Sequence, residues 1–127
     1  MGYVNYNPNP QRKLVGDCVI RAIAKATNQS WEQVFLDIMQ NAFDLHDMPS
    51  SNYVWADYLI KQGFHKEIIP DTCPACYTVH LFTQDHPQGV YVLGTGTHVV
   101  TVEDGNYFDS WDSGNEVPIY YFKKEEM

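Results

Sequence analysis

His98-Val99-Val100-Thr101-Val102-Glu103-Asp104-Gly105-Asn106-Tyr107-Phe108-Asp109-Ser110-Trp111 reads as a β-hairpin. Two runs rich in β-branched and aromatic residues flank Asp104-Gly105, the dipeptide best suited to a two-residue hairpin turn. Such a turn fixes register: Glu103 faces Asn106, Val102 faces Tyr107, Val100 faces Asp109 and His98 faces Trp111. Side chains alternate at period two, so His98, Val100 and Val102 share one face with Asp109 and Trp111. Asp109 becomes the diagonal neighbour of His98, about 7 Å away by backbone geometry and within side-chain reach. Asp112 points to the other face if the strand runs on. Register therefore selects Asp109 over Asp112 as the partner of His98. Trp111 is placed to shield that hydrogen bond from water, which strengthens it. The simpler alternative is that His98 is an ordinary half-buried strand residue and Asp109 a polar group at a strand end.

Outward from the hairpin, Val90 to Leu93 and Val117 to Phe122 read as further strands, and Phe64 to Ile69 as an earlier one. Toward the N-terminus the apolar period changes to that of helices. Asp17 can cap a helix running to about Thr27, with Val19, Ile20, Ile23 and Ala24 on its apolar face. Ser30-Trp31-Glu32-Gln33 is a capping-box pattern, and Trp31, Val34, Phe35 and Ile38 form the buried stripe that follows. Pro49-Ser50-Ser51 opens a third helix, which carries Val54, Tyr58 and Leu59 inward and stops at Gly63. Thr78 to His86 make a short fourth helix after a Pro/Cys loop. Residues 1–16, with several Asn and Pro and no periodicity, read as an extended lead-in. Helices first and an antiparallel sheet after them give an α+β class, in one domain spanning residues 1–127.

The composition narrows the function classes. The net charge is −8, and no cationic run is longer than Arg12-Lys13 or Lys123-Lys124, so no nucleic-acid partner is expected. No apolar run approaches the roughly 18 residues of a membrane span, so no membrane partner is expected either. Residues 1–13 lack the apolar core of a signal peptide. Three cysteines, an odd number, argue against a disulfide framework and for a reducing, cytoplasmic compartment.

Cys18 stands out among the three. It opens the first helix in Gly16-Asp17-Cys18-Val19-Ile20-Arg21-Ala22-Ile23, just before the apolar positions begin. A thiol there meets unpaired N–H groups and the positive end of the helix dipole, which lower its pKa. Beside an imidazole it forms an ion pair primed to attack a carbonyl carbon, and its own N–H can supply half of an oxyanion hole. The other reading is a small buried hydrophobe, the usual fate of a free cysteine.

Taken together, these segments resemble the papain-like cysteine peptidase superfamily, in particular its compact bacterial and phage members and the bacteriocin-processing type. Cys18 opens the first long helix, His98 starts a strand in Gly96-Thr97-His98-Val99-Val100, and Asp109-Ser110-Trp111 is similar to the family's Asn-Ser-Trp with Asp replacing Asn. The resemblance implies helices packed on a C-terminal antiparallel sheet, a Cys18-His98-Asp109 triad, a peptide or protein substrate and no cofactor. It also implies an oxyanion-hole glutamine upstream of the cysteine, for which Gln11 is the nearest residue. Hydrolysis of a peptide or amide bond, deamidation and acyl transfer would all use this triad.

Two further patterns remain. Cys73-Pro74-Ala75-Cys76 with His80 and His86 offers four ligands for zinc, or a redox pair at a helix start. His46 and His65 show no partner in the sequence and read as surface residues. The rival to an enzyme is a non-catalytic interaction module, or a zinc-stabilised binding domain, that keeps a peptidase-like shell.

Overall fold

The computed structural model describes residues 2–125; Met1, Glu126 and Met127 of the expected domain lie outside it. In chain order the elements are β1 (Gly2–Asn5), α1 (Cys18–Thr27), α2 (Trp31–Leu45), α3 (Asn52–Lys61), β2 (Phe64–Ile68), α4 (Val79–Asp85), β3 (Val90–Gly94), β4 (Val99–Glu103), β5 (Asn106–Asp109) and β6 (Tyr120–Lys124). Helix starts follow from short polar side chains. Ser30 accepts the Gln33 N–H at 3.1 Å, and Thr78 accepts the Leu81 N–H at 3.2 Å. Asn28 and His46 end α1 and α2 in left-handed conformation, so His46 serves as a helix cap.

The strands form one sheet in the order β1-β5-β4-β3-β6-β2. The hairpin adopts the expected register, with Glu103 opposite Asn106 and Val102 opposite Tyr107. Alternation then divides the core between two faces. Ile23, Ile38, Trp55 and Leu59 from α1 to α3 pack with Val92, Val99 and Phe122. Val79 and Phe82 of α4 pack with Leu93, Val100, Val102 and Tyr107. A side-chain bond ties α1 to the middle of the sheet: the buried Thr101 hydroxyl donates to the Ala22 carbonyl at 2.5 Å. Among the described residues, no helix is long and apolar enough to cross a membrane.

Four expectations are corrected. The lead-in contains β1, which pairs parallel with β5, so the sheet is mixed. Four residues are too few to show a period, and their partner strand lies about a hundred positions away. Phe35 is 40% exposed, because it stacks on Trp31 at 5.1 Å along the outer side of α2. The last strand begins at Tyr120, beyond Pro118, a residue unable to donate to a ladder. β5 ends at Asp109, because the Ser110 N–H donates to the Asp109 side chain at 2.8 Å and leaves the ladder.

Gly94 illustrates how the sheet shapes the region beside Cys18. A Cβ there would lie 2.2 Å from Cζ of Tyr120, whose ring packs between Trp55 and Phe122. Gly94→Ala is expected to destabilise the fold by about 1–3 kcal/mol, as overpacking does, in urea unfolding followed by circular dichroism.

Candidate active site

Three elements bring the site together. The chain turns into α1 through backbone bonds from Asp17 N–H to the Val15 carbonyl and from Arg21 N–H to the Asp17 carbonyl, both 2.8 Å. Asp17 occupies the N-cap position but its side chain does not cap the helix. Its carboxylate accepts instead from Arg21 Nη1 at 2.6 Å and from Trp31 Nε1 at 2.8 Å. The expected side-chain cap is therefore replaced by an ion pair. The first-turn N–H groups around Cys18 stay without a side-chain acceptor from Asp17.

His98 lies just before β4, held by a tight turn. Its N–H donates to Thr95 Oγ1 at 3.1 Å and its carbonyl accepts the Thr95 N–H at 2.9 Å. The turn passes through Gly96 at φ 98°, a conformation that favours glycine. Lying outside the ladder, the imidazole reaches both neighbours. Nε2 meets Asp109 Oδ2 at 2.6 Å, and the imidazole shares the walls of the same two hollows with the Cys18 thiol. With Nε2 engaged, Nδ1 is the ring nitrogen left for the thiol. Trp111 packs its ring 4.8 Å from the imidazole, centroid to centroid.

Asp109 is completely buried, yet each of its oxygens is satisfied. Oδ2 accepts from His98 and from the Ser113 hydroxyl, both at 2.6 Å. Oδ1 accepts from Arg21 Nη2 at 2.9 Å and from the Ser110 N–H. Its backbone carbonyl accepts from the Tyr6 N–H at 2.8 Å and the Tyr3 hydroxyl at 3.2 Å, so β1 and the residues after it pin the same position. Asp112 takes no part: it accepts from the Tyr107 hydroxyl and the Gly114 N–H.

Electrostatics follow from these contacts. Burial pushes the Cys18 thiol up, but the His98 hydrogen bond, the Val99 N–H and the charges of His98 and Arg21 outweigh it and hold the thiol below its ordinary value. Burial pulls His98 down, and its bonds and charge attraction to Asp109 and Cys18 overcome this and push it up to about 9. Asp109 is raised by burial but lowered further by His98, Ser113 and Arg21, ending below the usual carboxylate range. Both shifts favour the thiolate–imidazolium form more than the same groups would free in water.

The pair sits between two hollows. One, of about 340 Å³, runs toward α2 and β6 and is lined by Phe35, Ile38, Met39 and Tyr120. The other, of about 440 Å³, runs toward Leu14, Val15, Ser110 and Trp111. Cys18, His98 and Thr97 line both. A chain laid through these hollows would pass directly over the thiol.

Other expected residues fall elsewhere. Gln11 is exposed and lines a separate depression with Trp31 and Glu32, not the hollows around Cys18. The loop is folded on itself: Asn9 Oδ1 accepts the N–H groups of Gln11 and Lys13, and Arg12 has φ 58°. Cys73 and Cys76 are joined in a disulfide, their Cα atoms 4.1 Å apart. The odd cysteine count therefore reflects one local pair plus the free thiol of Cys18, and it does not exclude a disulfide. Bonded sulfurs cannot act as thiolate ligands, and His80 and His86 are engaged separately, with Gln84 and the Phe82 carbonyl. Among the described residues, no group of three or more His, Cys, Asp or Glu is placed to hold a metal. His65 lies beside Glu67 and Glu125.

Arg21, Ser113 and the β1 segment complete the site without having been singled out in the sequence, and Asp17, expected only as a cap, joins them through its side chain. Only Arg21 carried a signal, as a charged residue on an apolar helix face four positions after an aspartate. No model of a known protein family, no curated protein and no solved structure matches the chain.

Two outcomes test the electrostatics. At about pH 6, iodoacetamide is expected to alkylate Cys18 at least tenfold faster than a free thiol, and His98→Ala should abolish the excess. Stability should also follow His98 and Asp109. A raised His98 contributes stability fully present below its ordinary 6.5 and lost as pH rises through about 9. A lowered Asp109 contributes above its ordinary 3.8 and loses that contribution as pH falls through its depressed value. Urea midpoints should form a plateau between these limits, and His98→Ala should flatten the alkaline decline.

Proposed function

We propose that this chain is a thiol hydrolase of the papain-like type, acting on a peptide or amide bond. The observation that carries the reading is the buried His98–Asp109 hydrogen bond with Cys18 lining the same two hollows as His98, at the start of a helix whose cap side chain is turned elsewhere. A helix-start thiol, a base held by a carboxylate and room for substrate on both sides are what covalent acyl transfer needs.

In the proposed reaction the Cys18 thiolate attacks the scissile carbonyl, forming the C–S bond and moving the carbonyl π pair onto oxygen. The Cys18 N–H is the donor assigned to that developing charge. Gln11 is not assigned to it, because it lines a different depression. Collapse re-forms the carbonyl and breaks the C–N bond, and His98 gives its proton to the departing amine. The product is a thioester on Cys18. Water then attacks with His98 as base, the C–S bond breaks, and acid and thiolate are released. Asp109 remains ionised throughout and holds the imidazole, and Trp111 covers one side of it. The substrate is a peptide or protein segment laid through the hollows. Deamidation or transfer to another amine would change only the leaving group or the acceptor. No observation favours the non-catalytic module, and the Cys73–Cys76 bond counts against its zinc-stabilised form.

A panel of N-acylated fluorogenic peptide amides tests this reading. Turnover should vanish in Cys18→Ser, fall by at least about 10³-fold in His98→Ala, and stay within twofold in Gln11→Ala. Absence of Cys18-dependent turnover across the panel would contradict it.

A further inference from the structure

We propose that Arg21 is a positioning residue of this site, bridging Asp17 to Asp109 so that Asp109 is held against His98 and the Cys18 thiolate is favoured. Arg21 forms part of the wall of the hollow toward Leu14 and Trp111, but it is 5% exposed and its guanidinium is committed to Asp17 and Asp109. Its effect passes through Asp109 and through its charge.

The geometry is that of a two-pronged clamp. Nη1 donates to Asp17 Oδ1 at 2.6 Å and Nη2 donates to Asp109 Oδ1 at 2.9 Å. The three side chains are nearly or completely shut off from solvent. A lone buried arginine would be costly, and so would two buried carboxylates without a cation between them. Joined, they form a line of alternating sign that runs on into the site: Asp17 negative, Arg21 positive, Asp109 negative, His98 positive, Cys18 negative. Trp31 fastens the far end through Asp17 Oδ2, and Ser113 fastens Asp109 Oδ2. The planar guanidinium suits this bridge because its nitrogens point along fixed, separate directions, which an ammonium cannot reproduce. Without Arg21, Asp109 Oδ1 keeps only the Ser110 N–H, and the carboxylate is free to turn away from the imidazole.

Other titratable groups around the line are accounted for. Tyr6, following β1, faces Arg21, and Tyr120 of β6 faces Cys18; burial raises both above the ordinary phenol value, so both stay neutral through neutral pH. Lys25 of α1 pairs with Glu103 of β4 at 3.3 Å. Tyr3 contacts the Asp109 backbone carbonyl. This leaves Cys18 and His98 as the groups whose titration reports the line.

The inference takes its site from the thiol-hydrolase reading, but its test needs no substrate. The rate of Cys18 alkylation by iodoacetamide is measured against pH in the full chain and in variants whose fold is checked by circular dichroism. Arg21→Met is expected to raise the acid midpoint by about one pH unit, and Arg21→Lys to recover most of that shift. Asp17→Asn is expected to move the midpoint the other way, because it leaves the Arg21 charge less neutralised. It also preserves shape and so remains informative if Arg21→Met does not fold. A merely structural role would lower melting temperatures and leave both midpoints in place. That result, or an unmoved midpoint in folded Arg21→Met, or in Asp17→Asn where Arg21→Met does not fold, overturns the proposal. Shifted midpoints without peptide hydrolysis would retain the positioning role and remove the hydrolase reading.

Discussion

A carboxylate with no exposure to water and four hydrogen-bond donors around it is the constraint on which the rest of this structure depends. Burying an ionised group is tolerable only when its oxygens are fully satisfied and opposite charge lies close by. Asp109 meets that condition by drawing on separated parts of the chain. Arg21 comes from α1, His98 from the turn before β4, and Ser110 and Ser113 from the segment after β5. β1 adds its own bonds to the backbone of the same residue. Satisfying one acid thus fixes the relative position of the first helix and the central hairpin.

That arrangement explains why Cys18 meets His98. α1 crosses the sheet with Ala22 bonded to Thr101, and its N-terminus arrives at the open end of β4. There the strand ladder has stopped, so side chains are no longer confined to alternate faces. The imidazole can reach the thiol with one nitrogen while the other stays on Asp109. Asp17, with its side chain committed to Arg21 and Trp31, leaves the helix start uncapped beside the thiol.

Much of this was legible in the sequence where local rules operate. Asp104-Gly105 set the hairpin register, and register chose Asp109 over Asp112. Ser30 and Thr78 marked their helices correctly. Local rules failed where long-range partners decided the outcome. β1 is too short to show a period and exists because β5 offers it an edge. Asp17 looked like a cap, but a buried arginine and an indole N–H compete for its oxygens. Gln11 was only the nearest glutamine upstream of Cys18, and the Asn9-centred turn directs that segment toward Trp31. An odd cysteine count concealed a bonded pair three residues apart.

Acylation of Cys18 is the step on which the proposed reaction turns. Intact-mass spectrometry of acid-quenched protein mixed with an activated peptidyl ester tests that step. The expected result is a mass increase equal to the acyl group, mapped to Cys18, which decays with time in wild-type and never forms in Cys18→Ser. Absence of an adduct on Cys18, or an identical adduct in Cys18→Ser, would contradict it.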